Sequence, residues 1–304
     1  MEQIRKIIAI SRVATAPTPA QVRALVLGVA LGCESIEMLC LRTGMLGVRA
    51  VRSGRSEAVP VSSMLGALRL DPFVGAAGGG AMPAVTQTQE AAGARDVAQR
   101  IADSGADLIV VDDQDEGFFN ALICGYSIDD LLDASRTPLL IVKRPARLPY
   151  HKVLVSTDFS PASQAAARVA LAVAPRAQVS FLHVLDAASA RPSGPRGVVT
   201  PWRSAFAPQQ EQEAARRSLD ALIAALGPRR QLLSRVLATG PVDQGVASYV
   251  DKLMPDLVAL GAPAANGSRR GGRLLRWLRE QNEVDVLIAQ PRPEPEDWSD
   301  LPAA

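Results

Sequence analysis

The sequence predicts an α/β protein made of two tandem, doubly wound parallel-sheet domains. Short, β-branched apolar runs alternate with longer Ala- and Leu-rich stretches throughout the 304 residues, which is typical of βαβ units with right-handed crossovers. This order starts again near residue 150, because Ile7 to Asp107 spans 100 positions and Val153 to Asp256 spans 103. The length also suits two domains of about 150 residues. We therefore divide the chain into a first half, residues 1–146, and a second half, residues 147–304, and expect two separate sheets lying side by side.

In the first half, apolar runs predict strands over residues 5–10, 35–41, 107–111 and 138–142. Helical spacing predicts helices over residues 20–31, 57–68, 90–104 and 127–134. Two segments compete for the third strand of the sheet, residues 73–76 and residues 84–88. Residues 143–150 are polar and proline-rich, and they predict a linker.

In the second half, the same reasoning predicts strands over residues 153–155, 178–185, 231–238, 256–260 and 284–289. Helices are predicted over residues 161–174, 211–226 and 242–253. Residues 187–208 are rich in Pro, Gly, Ser and Arg, and they predict a long loop that exposes Trp202 and Phe206.

Charge, hydropathy and the few cysteines and histidines argue against several classes of function. The net charge is +2, which gives no support for a nucleic-acid partner or a membrane surface. No apolar run reaches the ~18 residues that a membrane span needs, and the amino terminus lacks a signal-peptide pattern. The three cysteines and two histidines show no metal-ligand spacing, so we expect reduced, buried thiols in a cytoplasmic protein without a metal site.

Asp158 is the carboxylate whose position points most clearly to a ligand. It follows the buried run Val153 to Val155 and precedes Ser160 and Pro161, which are typical of a helix N-cap and first turn. Ligands of open α/β sheets bind beyond the carboxyl ends of the strands. The alternative is that Asp158 only stabilises the turn, because Asp is common in turns.

Several segments together resemble the universal stress protein family. In the second half these are Val153-Leu-Val-Ser-Thr-Asp-Phe-Ser, Phe181-Leu-His-Val, Pro255-Asp-Leu-Val-Ala-Leu-Gly and Asp285-Val-Leu-Ile-Ala. The first half resembles the family more weakly, through residues 106–111 and 137–142. The resemblance implies a five-stranded parallel sheet in each half, pairing through the last strand, so that the chain is an intramolecular pseudo-dimer. Further homodimerisation stays open.

The resemblance also implies an ATP site in the second half, used with Mg²⁺. Many members of this family bind ATP with an aspartate, a second-strand valine and a motif of three glycines followed by Ser or Thr. Asp158, Val184, Gly261 and Gly272 match this pattern, and the candidate site also includes Gly267, Ser268 and Arg273, which lie at or beside the remaining motif positions. Ala264 stands where the middle glycine belongs, and Arg273 replaces the Ser or Thr, so we expect weak binding.

The first half departs further from the pattern. Ser11 and Arg12 follow its first strand in place of an aspartate, and Asp112 stands where the first glycine belongs. A carboxylate there would repel a phosphate, so we expect no nucleotide site in this half. Asp112, Asp113 and Asp115 could instead form a cation site, but they lack the full pattern of a calcium loop. The simpler reading is a solvated acidic loop.

These observations favour a stress-response protein with a weak adenine-nucleotide site over an enzyme. No nucleophile, general base or phosphate-binding lysine loop is apparent, although slow ATP hydrolysis stays open. We expect His183 to be a core histidine with its hydrogen bonds satisfied. The alternative function is a scaffold for dimerisation or interaction that binds no nucleotide.

Overall fold

A computed structural model describes most of both halves. It covers residues 3–12, 17–41, 56–58, 82–90, 94–113, 136–145, 148–185, 209–227, 231–262, 274–275, 277–278 and 283–291. Eleven strands and five helices of these residues form an α/β arrangement. No helix in the described part of the chain combines the length and the apolar character needed to cross a lipid bilayer.

The first half contributes six strands and two helices among the described residues. The strands are β1 (Lys6–Arg12), β2 (Ser35–Leu41), β3 (Ser56–Ala58), β4 (Ala84–Glu90), β5 (Leu108–Asp112) and β6 (Leu139–Val142). The helices are α1 (Pro19–Leu31) and α2 (Ala94–Ser104).

The second half contributes five strands and three helices among the described residues. The strands are β7 (Lys152–Ser156), β8 (Gln178–Leu185), β9 (Leu232–Thr239), β10 (Leu257–Gly261) and β11 (Asp285–Ala289). The helices are α3 (Pro161–Val173), α4 (Gln209–Ala225) and α5 (Val242–Leu253).

All eleven strands form one sheet in the order β3-β4-β2-β1-β5-β6-β11-β10-β7-β8-β9. Each half therefore has five parallel strands in the order third-second-first-fourth-fifth, which is an α/β fold of the doubly wound kind. The fifth strands, β6 and β11, pair antiparallel. The pairing through the last strand of each half is as expected, whereas our expectation of two separate sheets was wrong, because this pairing joins them edge to edge into one continuous sheet.

The two halves repeat local details as well as strand order. The carboxylate of Asp107 accepts hydrogen bonds from the backbone N–H groups of Arg5 and Lys6, at 2.9 and 3.0 Å. In the second half, Asp256 accepts the same pair of bonds from His151 and Lys152, at 2.8 and 2.9 Å. In both halves an aspartate before the fourth strand thus fixes the start of the first strand.

Local sequence explains where the first helix of each half begins. Thr18 caps α1 by accepting from the N–H of Gln21, whose side chain accepts in return from the N–H of Thr18. Ser160 caps α3 by accepting from the N–H of Ser163 at 3.2 Å. A proline follows each cap, where its missing N–H costs nothing. Both helices consequently start directly beyond the carboxyl end of a strand.

Several predictions for individual elements were wrong. Glu57 belongs to strand β3, so the helix predicted over residues 57–68 is wrong at its start, and the rest of that range lies outside the described residues. The third parallel strand is formed by residues 84–90, one of the two competing segments. The next helix begins at Ala94 and not at residue 90 as predicted. The competing segment 73–76, the predicted helix 127–134 and the loop 187–208 lie outside the described residues.

Residues 143–150 are more than the polar linker that the sequence predicts. Tyr150 is 2% exposed and belongs to the main apolar core. The end of this segment is therefore part of the packed junction between the two halves.

Candidate functional site

A cavity of about 580 Å³ lies beyond the carboxyl ends of β7, β8 and β10. Its lining combines polar and apolar side chains. The polar ones, here called the rim, are Ser156, Thr157, Asp158, Ser160, Ser163 and His183, and the apolar ones, here called the wall, include Val184, Val242, Leu260, Leu274, Leu275 and Ile288. A lining of this kind suits a ligand that carries both apolar and polar groups.

Asp158 lies at the rim, directly after β7. Its Oδ1 accepts a hydrogen bond from the N–H of Ser160 at 3.0 Å. Partial burial opposes ionisation of the carboxyl group, but the hydrogen bonds from Ser160 and Ser163 outweigh it and lower the pKa of Asp158. The carboxylate is therefore charged at neutral pH, and its remaining acceptor positions can bind hydroxyl or amine donors.

The amino terminus of α3 forms the neighbouring part of the rim. Phe159 turns the chain with a φ of 64°, and its N–H donates to Oγ1 of Thr157 at 3.0 Å. The buried Ser163 hydroxyl lies 3.1 Å from the same Oγ1 and donates to the carbonyl of Ser160 at 3.0 Å. These bonds fix the first turn of the helix, whose N–H groups and dipole favour an anion.

Gly261, at the end of β10, allows this helix to lie close to the sheet. A Cβ added there would lie 2.6 Å from the backbone nitrogen of Ser163 and 2.7 Å from the carbonyl carbon of Ala162. Both neighbours are backbone atoms of α3, so a side chain could not be accommodated without moving the helix. The glycine has a packing role here that the sequence alone did not indicate.

His183 borders the cavity instead of lying in the closed core. Its Nδ1 lies 2.8 Å from the carbonyl oxygen of Thr157, and the only way to make this bond is for Nδ1 to donate. The ring also stacks on Phe159 with 4.5 Å between ring centroids. Our expectation was right for the hydrogen bond and wrong for the location, because the alternation of β8 turns this side chain toward the rim.

Sequence reasoning identified Val184 but missed the rest of the apolar wall. Leu274 and Leu275 follow the segment where we searched for a glycine motif, and Leu274 is 6% exposed. Val184 packs against α5, where a Cβ added at Gly245 would lie 2.8 Å from both of its methyl groups.

The structure brings three of the sequence-predicted residues, Asp158, Val184 and Gly261, around one cavity. The other four, Gly267, Ser268, Gly272 and Arg273, lie outside the described residues. Thus the part of the site built from strand ends is defined, and the glycine loop stays a prediction.

The position equivalent to Gly261 in the first half carries a carboxylate. The strand registers, in which Ile7 lies opposite Leu108 and Val153 opposite Leu257, make Asp112 the counterpart of Gly261. Oδ1 of Asp112 accepts from the N–H of Ala20 in the first turn of α1, at 2.6 Å. Burial raises the pKa of Asp112, and the bonds from Ala20 and Thr18 oppose that rise.

The acidic cluster of the first half is engaged rather than solvated. Asp112 caps α1, and Asp113 forms an ion pair with Lys143 in which both side chains are less than 10% exposed. The simple reading as a solvated loop was therefore wrong for these two residues, while Asp115 lies outside the described residues. Within the described ranges, no group of three or more His, Cys, Asp or Glu side chains is placed to hold a metal ion.

A second cluster fills the space beside Asp112. The side-chain N–H₂ of Gln21 donates to Oγ of Ser11 at 3.0 Å and to Sγ of Cys40 at 3.3 Å. All three side chains are buried, and the strand registers place Cys40 where the second half has His183. The first half thus satisfies its own polar groups at this position.

Comparison with known proteins agrees with this geometry. Residues 149–288 match the model of the universal stress protein family. A functionally unknown protein from Pseudomonas aeruginosa PAO1 has a similar structure, with 16% identity, coverage of 95% of this chain and 94% of that one, and a TM-score of 0.56. A universal stress protein from Archaeoglobus fulgidus is similar at 14% identity, 93% and 98% coverage, and a TM-score of 0.55. No curated protein matches the chain.

Proposed function

The chain is a member of the universal stress protein family through residues 149–288, and we propose that this part binds an adenine nucleotide, ATP with Mg²⁺, in its cavity. The observation that carries the proposal is the convergence of a charged carboxylate, a helix amino terminus and an apolar wall on one cavity. An adenine nucleotide presents a flat base, ribose hydroxyls and phosphates, which are chemically complementary to these three features.

In this proposal each group has a separate role. The wall around Val184 and Leu274 packs against the base. Asp158 accepts hydrogen bonds from the ribose or the base, because its lowered pKa keeps it charged. The amino terminus of α3 favours the negative phosphates. Gly267, Ser268, Gly272 and Arg273 complete the phosphate site in the proposal.

The proposed role is binding rather than catalysis. We propose two domains, residues 1–146 and 147–304, of which only the second holds a nucleotide, in a cytoplasmic protein of the stress response. In the first domain, the side chain of Asp112 accepts from the first turn of α1, at the position where the second domain has Gly261 and no side chain. The first domain then serves as a fixed partner for the second.

Calorimetric titration of the purified chain with ATP and Mg²⁺ tests the proposal. We expect saturable binding, and we expect Asp158→Ala to weaken it about 10-fold or more, since a hydrogen bond to a charged group contributes about 1.5–3 kcal/mol. Asp251→Ala is the matched control, because it removes a carboxylate from the exposed face of α5. The absence of saturable binding by a folded wild-type chain would refute the nucleotide site.

That negative result would favour the alternative function, an interaction scaffold without a nucleotide. One observation supports the alternative. The close approach of Ser163 to Gly261 requires a glycine whether or not a ligand binds. The glycine could therefore be maintained by packing alone.

A further inference from the structure

A buried ion pair crosses the junction between the two halves. Nη2 of Arg23, on α1, lies 3.1 Å from Oδ2 of Asp285, the first residue of β11, and each side chain is 5% exposed. The hydroxyl of Tyr150 donates to the same Oδ2 at 2.7 Å. The Arg23 guanidinium lies over the Tyr150 ring, 4.1 Å from its centroid. Arg23 thus belongs to the first half, residues 1–146, whereas Tyr150 and Asp285 belong to the second half, residues 147–304.

The pairing that this ion pair accompanies is almost symmetric. In the antiparallel ladder Leu140 lies opposite Leu287, with one residue pair on each side of it. Leu140 and Leu287 are themselves equivalent, because Leu139 pairs with Ile109 as Val286 pairs with Val258. The ladder therefore has a local two-fold axis at its centre. Its backbone would accept a second copy of either strand equally well.

The side chains of the ion pair break this symmetry. Three apolar residues occupy the positions equivalent to Arg23, Tyr150 and Asp285, and all three are buried: Ala165, Ile4 and Pro138. Ala165 has the place on α3 that Arg23 has on α1, counted from the proline that begins each helix. The junction thus has one charged side and one apolar side.

This asymmetry has a consequence for association between copies. If β11 paired with β11 of a second copy, each Asp285 would face an alanine of α3 instead of an arginine. Burial already raises the pKa of Asp285, and Arg23 and the N–H of Lys143 oppose that rise. Without the arginine, two carboxylates would be buried unpaired or would take up protons, and either outcome is costly.

We infer that Arg23, Tyr150 and Asp285 are specificity residues that direct the β11 edge to this chain's own first half and prevent pairing with a second copy. Stability alone does not account for them. Nε of Arg23 is buried without a hydrogen-bond partner among the described residues, and buried ion pairs are often no more stabilising than apolar residues of similar volume. A polar group buried in one orientation does discriminate between alternative pairings.

The test is a charge-free junction in the full chain, Arg23→Met with Tyr150→Phe and Asp285→Val. Its mass is measured by light scattering after size exclusion at several protein concentrations. We expect the wild-type chain to remain at its monomer mass of 32.1 kDa. The charge-free variant should form dimers or larger species whose share rises with concentration. The same mass distribution for both proteins would overturn the inference.

A matched control removes an ion pair that lies within one half. Arg100 donates to Glu37 at 2.6 Å, and both belong to the first half. Arg100→Met with Glu37→Met should keep the wild-type mass, and association of this control to the same extent as the charge-free variant would also overturn the inference. If the charge-free variant lacks cooperative unfolding, Arg23→Gln with Asp285→Asn replaces it, because these changes remove the charges and keep polar groups. For this variant too, association that rises with concentration would support the inference, and the mass distribution of the wild type would overturn it.

Discussion

The carboxyl ends of the strands differ between the two halves, although the strands follow the same order. In the second half, Gly261 lets α3 approach and leaves a cavity of about 580 Å³ beside Asp158. In the first half, Asp112 binds the first turn of α1, and Gln21 joins Ser11 and Cys40 in a buried cluster. Among the described residues, side chains of the first half form hydrogen bonds within that half at positions where the second half lines a cavity.

This difference shows that the residue at one position, Asp112 or Gly261, can decide whether the amino terminus of the neighbouring helix is available to a ligand. A carboxylate of the chain at a helix amino terminus satisfies the N–H groups and the dipole that would otherwise attract an anion. The same position occupied by glycine leaves those groups for another partner. Substitutions that exchange the residues of the two positions therefore test this comparison.

The largest effect is expected when the second half is given the residue of the first. Gly261→Asp should weaken ATP binding ~100-fold or more, since its carboxylate would face the phosphates at short range and its Cβ would overlap the backbone of α3. Calorimetric titration measures the change. Asp112→Ala is the control and should bind ATP as the wild type does, and equal weakening by both changes would contradict the comparison.

Smaller effects are expected on stability. Gly261→Ala should lower the free energy of unfolding by about 1–3 kcal/mol, because the added methyl group lies 2.6 Å from a backbone nitrogen and overpacking is costly. Asp112→Ala should lower it by about 0.5–2 kcal/mol through the loss of a helix cap. Urea denaturation measures both changes. If Gly261→Ala leaves the free energy of unfolding unchanged, α3 is free to move away from the added methyl group, which would contradict the packing role of Gly261.

The smallest effect is an opposite pH dependence at the two sites. Burial raises the pKa of Asp112, so its folded form holds a proton more strongly, and its contribution to stability falls as pH rises above 3.8. The pKa of Asp158 is lowered, so its contribution is present above 3.8 and is lost as pH falls below that value. Urea denaturation of Asp112→Asn and Asp158→Asn between about pH 3 and pH 7 should give differences from the wild type with opposite slopes. Slopes of the same sign would contradict the assignments.

Sequence reasoning was most successful where local pattern decides the structure. Apolar runs predicted the parallel strands of both halves except the third strand of the first half, for which two segments competed. The Ser160-Pro161 pair predicted the start of α3. Asp158, Val184 and Gly261 meet because they lie at the carboxyl ends of neighbouring parallel strands. Asp158 was identified from its place after a buried strand and the general rule for α/β sheets, whereas Val184 and Gly261 were identified from the family resemblance.

The features that could not be predicted from the sequence depend on contacts between segments that are distant along the chain. Tyr150 reads as part of a polar linker, yet it is buried because Arg23 and Asp285 meet it from 127 and 135 positions away. The role of Asp112 as a cap requires the distance between two elements, which residue types do not contain. The pairing of β6 with β11 was expected from the family resemblance, but the sequence did not indicate that it would join the two sheets into one continuous sheet.

The most direct test of the account is to locate a bound nucleotide along the chain. Photolabelling with 8-azido-ATP and Mg²⁺, followed by peptide mapping, distinguishes the two halves in one experiment. We predict labelling of second-half peptides that contain residues 156–163, 183–184 or 274–278, competed by unlabelled ATP and lost in Gly261→Asp. Competed labelling of first-half peptides containing residues 11–21 or 108–113 would contradict the account.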